Sequence, residues 1–154
     1  MPIKCGGAPQ KIMYLSEETF RNNGIRANCD VHFYTSVPNM FPNCKKFADA
    51  LVPIAAGKSI DVHFQHTIKS VDGPNRTATF LNSDGEDVTV DFDLLHAVPP
   101  QTAHQFVRES PLAAATGFVD VDQWTLRHNK YPNVFALGDV ANLPTAKTAA
   151  AIYS

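Results

Sequence analysis

An α/β fold is the prediction, and three features of the 154-residue sequence carry it. Helical segments over about residues 9–22 and 44–56 flank Asp30-Val31-His32-Phe33-Tyr34-Thr35-Ser36, a β-branched and aromatic run, as in a parallel sheet covered by helices. From Ile60 the apolar period drops to two and Asp-Gly turns punctuate it, the pattern of an antiparallel meander. Two short apolar runs, residues 94–98 and 134–137, read as strands, the second of them buried on both faces.

Each element has a local cause. Cys5-Gly6-Gly7-Ala8-Pro9 joins an extended start to a helix beginning near Pro9, where a missing N–H costs nothing. Ile12, Met13, Leu15 and Phe20 form its apolar side, and Asn22-Asn23-Gly24 ends it. Cys5 thus lies just ahead of a helix N-terminus, a place that favours the nucleophilic thiolate; a buried, inert cysteine in a Gly-rich turn is the alternative that local chemistry leaves open. Pro and Gln follow where a Gly-x-Gly-x-x-Gly loop would continue, so this turn is not expected to cradle a pyrophosphate.

Residues 30–36 should be the second parallel strand, with Val37-Pro38-Asn39-Met40-Phe41-Pro42 as a loop. Asn43 can cap a helix from about Cys44 to Ala56 with Phe47, Leu51 and Ile54 inward, kinked at Pro53 and stopped by Gly57. The meander then runs over residues 60–64 and 67–71, turns at Asp72-Gly73-Pro74-Asn75, returns over 77–81, turns at Asp84-Gly85 and closes over 88–92. Residues 94–98 end at Pro99-Pro100. A short helix over 101–109 follows, ended by Ser110-Pro111. The run 134–137 delivers Gly138 and the carboxylate of Asp139 just past a strand end, and Thr145 can cap a helix over 146–152. A carboxylate that accepts from ligand hydroxyls beside a helix N-terminus that favours an anion makes a two-sided polar site.

Composition narrows the function. With 44% hydrophobic and 18% charged residues the chain can bury a core, and 13 basic against 15 acidic residues, with no basic block, argue against nucleic acid. No run of about 18 apolar residues and no signal-peptide layout is present. Cys5, Cys29 and Cys44 lack metal-type spacing, and His63 and His66, three apart in a strand-like run, should point to opposite faces, so no metal site is expected. Cys29 and Cys44 read as core or neutral surface residues, and His96 as a packed strand residue. Both ends of the chain are abrupt, and it reads as a fragment.

Tyr131-Pro132-Asn133-Val134-Phe135-Ala136-Leu137-Gly138-Asp139-Val140 resembles the second FAD-binding segment of the flavin disulfide reductases with two dinucleotide domains. Leu143-Pro144-Thr145-Ala146-Lys147-Thr148-Ala149-Ala150-Ala151 is similar to that segment in the mitochondrial-type sulfide:quinone oxidoreductases, and Pro2-Ile3-Lys4-Cys5-Gly6-Gly7-Ala8-Pro9-Gln10-Lys11-Ile12-Met13-Tyr14-Leu15-Ser16-Glu17 resembles the redox-cysteine segment of the same family. The resemblance implies a Rossmann-like second dinucleotide domain with a β-meander over 1–98, plus part of an FAD domain, the return segment 99–154 that starts at Pro99-Pro100, in an incomplete three-layer flavoprotein reductase architecture.

It implies further that Cys5 is a catalytic cysteine sharing a sulfur bridge with a second cysteine outside the chain. Hydrogen sulfide attacks that bridge, electrons pass through FAD to ubiquinone, and the sulfane sulfur leaves on sulfite, glutathione or cyanide. Gly138 lets the backbone approach the flavin, Asp139 accepts a ribityl hydroxyl, and Lys147, Thr148, Ala149 and Ala150 line the pyrimidine edge. A peripheral position on the mitochondrial inner membrane, through regions absent from these residues, is also implied, and the isolated chain should be inactive. Another FAD- and NAD(P)-dependent quinone reductase, or a non-catalytic Rossmann-like binding module, are the competing readings.

Overall fold

The computed structural model describes residues 5–42 and 44–144, so the capping role predicted for Asn43 and the helix predicted over 146–152 lie outside the described residues. The chain divides into two compact units, Gly6–Pro99 and the stretch from Pro100 onward, with Cys5 grouped with the latter.

In the first unit, helix α1 (Ala8–Asn22) carries Pro9 in its first turn and ends at Asn23. Strand β1 (Val31–Tyr34) follows, then helix α2 (Lys45–Gly57), which continues through Pro53, then strand β2 (Ile60–His63). β1 and β2 are parallel in the register Val31↔Ile60 to Tyr34↔His63, and α2 is the crossover that parallel pairing requires. Residues 60–63 therefore extend the parallel sheet rather than opening the meander. A period of two marks a strand but does not distinguish parallel from antiparallel neighbours. The meander is β3 (Thr67–Asp72), β4 (Thr77–Leu81) and β5 (Asp87–Asp91), in that order, with Ala78 and Phe80 of the central strand buried.

Met13, Met40, Ala55 and Ile60 form the core of this unit, with Tyr14, Val31, Phe33, Leu51, Val62 and Phe64 packed against it. The buried face of α1 is Gln10, Met13 and Glu17, whereas Ile12 and Leu15, expected inward, are exposed. Two of the three inward residues are polar, so an apolarity pattern selects the wrong side. Glu17 is satisfied where it is buried: Lys58 lies 2.9 Å and Arg21 3.2 Å from its carboxylate. The hydrogen bond from Lys58, joined by the charges of Arg21 and Arg26, outweighs burial and holds this carboxyl below the ordinary carboxylate range. On α2, Ala48 and Ala55 are buried with Leu51 partly so, while Phe47 and Ile54, also expected inward, face out. Small side chains bring the helix close to the strands; the Phe47 ring instead meets that of Phe41 edge-on at 6.0 Å.

Residues 94–98 form no strand, and Leu94 and Val98 are exposed. No neighbouring strand among the described residues is there to take up their backbone hydrogen bonds.

Among the described residues of the second unit, α3 (Gln105–Arg108) is the one α-helix, narrower than the predicted 101–109. The unit's core is Ala103, Val107, Val119, Val121, Ala136 and Ala141, with Leu112, Phe118, Val140 and Leu143 packed against it. Single bridges rather than ladders join its segments: Ala113↔Val119, Val119↔Ala141, Val121↔His128 and Arg127↔Phe135. Buried His128 organises the middle: its Nδ1 accepts from the backbone N–H groups of Lys130 and Tyr131, and its Nε2 lies 3.1 Å from the carbonyl of Leu112. The doubly buried strand expected at 134–137 is not formed. Ala136 is buried, but Phe135 and Leu137 are 62% and 60% exposed, and one bridge is the only β pairing here among the described residues.

Candidate functional site

Cys5 is partly buried and lies three residues before Ala8, the first residue of α1. Among the described residues no disulfide joins Cys5, Cys29 or Cys44. The turn after Cys5 is held from two directions. On one side the Phe41 ring lies where a Cβ on Gly6 would meet it at 3.5 Å. On the other, the buried side chain of Gln10 donates from Nε2 to the carbonyl of Gly6 at 2.8 Å and also to the carbonyl of Met40. A ring therefore covers a glycine that a dinucleotide loop would leave open to phosphate, in line with the missing glycine pattern.

Cys29 lies at the entrance to β1, where its thiol is 3.4 Å from the carbonyl of Ile25, and Cys44 occupies the position before α2. Neither faces a second cysteine among the described residues.

Gly138 and Asp139 come together in a 3₁₀ turn, Gly138–Val140, directly after the 134–137 run. Gly138 has φ +69°, a backbone conformation that disfavours side chains, and nothing lies within 4 Å of where its Cβ would stand. Asp139 is exposed. An open, side-chain-free approach beside an accessible carboxylate fits a polyhydroxylated chain such as the ribityl of a flavin. Lys147, Thr148, Ala149 and Ala150, the predicted pyrimidine-edge residues, lie outside the described residues.

One cluster escaped sequence reasoning. His63 and His66 do not point apart: the turn at Gln65, with φ 55°, brings their rings to 5.9 Å. Parallel pairing sets His32 alongside, with its Nδ1 3.1 Å from Nε2 of His63. Tyr34 is stacked between His63 at 4.2 Å and Phe80 at 4.3 Å, joining the parallel sheet to the meander. The signal that could have found it is the β1–β2 register, which needs the parallel assignment first. Among the described residues no three His, Cys, Asp or Glu side chains are grouped to hold a metal ion. The polar hollow around Asp122 is also internally satisfied: its carboxylate accepts from Thr125 N, Thr125 Oγ1 and Trp124 N, and those bonds, Thr125's foremost, hold the acid below its ordinary range.

A sequence profile of the pyridine nucleotide-disulphide oxidoreductase family matches residues 24–152. The mitochondrial sulfide:quinone oxidoreductase of Mus musculus is 45% identical over 153 residues, covering 98% of this chain and 34% of that protein. Its counterpart in Dictyostelium discoideum is also 45% identical over 153 residues, covering 99% and 33%. This chain thus spans about one third of the length of the curated relatives it matches. The crystal structure of the sulfide:quinone oxidoreductase from Aquifex aeolicus superimposes with a TM-score of 0.77 at 19% identity, covering 92% of this chain and 34% of that one, which shows a shared α/β fold.

Proposed function

The chain belongs to the pyridine nucleotide-disulphide oxidoreductase family, and from that premise we propose that it is a section of a mitochondrial, FAD-dependent sulfide:quinone oxidoreductase. The observation that carries this reading is the likeness to the mouse enzyme along nearly the whole chain. In the reading, residues 1–98 are the second Rossmann-like domain and 99–154 the return into the FAD domain.

Cys5 is the sulfur-handling residue. Hydrosulfide attacks the bridge that Cys5 shares with a second cysteine of the longer protein; one S–S bond forms as another breaks, leaving a persulfide on one sulfur and a thiolate on the other. The persulfide's outer sulfur then passes to a nucleophilic acceptor, the sulfur of sulfite or glutathione or the carbon of cyanide, and the S–S bond that breaks leaves a second thiolate. FAD, when bound, supplies a two-electron acceptor whose electrons go on to ubiquinone. Gly138 leaves room for the flavin's side chain, Asp139 accepts a hydrogen bond from one of its hydroxyls, and Lys147 to Ala150 receive the pyrimidine end. No helix among the described residues is long and apolar enough to cross a membrane. In the reading, contact with the inner membrane and its quinone belongs to the rest of the longer protein.

The test is to assay sulfide-dependent reduction of a soluble ubiquinone analogue by the 154-residue chain purified with FAD, beside the complete flavoprotein. The complete protein should turn over with sulfide and not with NADH, and the isolated chain should retain little flavin and no activity. Turnover by the isolated chain, or NADH replacing sulfide, would contradict the proposal.

A further inference from the structure

We propose that Gln10 is a positioning residue for Cys5, clamping the turn that carries the nucleophile to the buried Met40 in the loop after β1. The proposal rests on the reading of Cys5 as the reactive thiol and adds what holds that thiol in place.

The clamp uses both hydrogens of one amide. The Gln10 side chain is only 5% exposed, and its Nε2 donates to the carbonyls of Gly6 and Met40, 30 residues apart in sequence. A buried side-chain amide has two N–H groups to satisfy, and these carbonyls take both. The first main-chain bond of this turn runs from Lys11 N to Gly7 O, one residue later, so the Gly6 carbonyl is met by a side chain instead of the helix ladder.

The far end of the clamp is immobile. Met40 is 2% exposed and belongs to the core with Met13, Ala55 and Ile60. Gly6 is thereby tied to the core through Gln10 and packed by the Phe41 ring. The Cα of Cys5 is one peptide away, about 3.8 Å from that of Gly6. Rotation of Gly6, which its missing side chain would otherwise allow at little cost, is what Gln10 suppresses. Gln10 itself touches no reacting atom.

The full 154-residue chain with Cys29→Ser and Cys44→Ser leaves Cys5 as its single thiol. Its exchange with a small aromatic disulfide is followed by release of the coloured thiolate, in the folded chain and in guanidinium, and the ratio of the two rates is the readout. The ratio should exceed one for this parent. Q10M, close in shape but without donors, should bring it down by a factor on the order of ten, toward one. Q10E should behave like Q10M in mildly alkaline solution and regain only part of the parent's ratio at acidic pH, where a protonated carboxyl offers one donor for the two carbonyls. A residue that merely fills space would not show that recovery. If Q10M does not fold, Q10N, whose shorter amide cannot span both carbonyls, takes its place.

A parent ratio above one that Q10M, or Q10N in its place, leaves unchanged overturns the clamp and spares the reading of Cys5. A parent ratio at or below one overturns that reading and the clamp with it.

Discussion

Tyr34, stacked between His63 and Phe80, gives the first unit a built-in acid sensitivity. Burial first, then the charges of His32 and His66, lower the His63 pKa from the ordinary 6.5, with the Asp61 carboxylate opposing. The folded chain resists a proton that the unfolded chain accepts. This histidine therefore costs nothing above the unfolded value, and stability falls as the pH drops below 6.5 toward the lower folded-state pKa. His63→Phe, which keeps a ring against Tyr34, should flatten the decline in Tm between about pH 7 and pH 5. Tm curves of parent and variant that run parallel across that range would show that the cluster does not control it. Little of this cluster was legible beforehand, because it needs both the parallel register and the positive φ of Gln65, and neither is written in a hydrophobic period. The placements of Cys5, three residues before α1, and of Asp139, in a turn opened by Gly138, were legible for a different reason: each depends on adjacent residues alone.

At the scale of elements, positions along the chain were easier to read than faces. α1, α2 and the three meander strands lie close to where caps, turns and periods put them. The inward faces were misjudged wherever a small or polar residue does the packing. On α2 the contact is made by Ala48, Leu51 and Ala55 rather than Phe47 and Ile54. Ala55→Leu should therefore cost about 1–3 kcal/mol by overpacking, although leucine is a good helix former. Phe47→Ser, which would be severe if Phe47 were core, should stay within about 1 kcal/mol. Urea unfolding of the two variants distinguishes the faces, and a larger loss for Phe47→Ser would reverse the assignment. Residues 94–98 and 134–137 are instructive in another way. Their apolar runs are the pattern of strands inside a sheet, but the described residues supply them with no ladder, and Leu94, Phe135 and Leu137 are left exposed.

For the whole molecule, a chain one third the length of its relatives carries a thiol turn on a Gly-rich loop and a glycine–carboxylate turn. The residues between them include a βαβ unit and a meander, a scaffold that many unrelated activities share, so the fold alone does not assign the function. The central claim is that sulfide chemistry passes through Cys5. The most direct measurement is anaerobic stopped-flow of the complete flavoprotein with sulfide, monitored at the flavin absorbance, for the parent and for Cys5→Ser. The parent's flavin should bleach within the mixing experiment, while the variant, still carrying yellow flavin, should be slowed by at least about a thousandfold. Equal bleaching rates in the two proteins would remove Cys5 from the reaction.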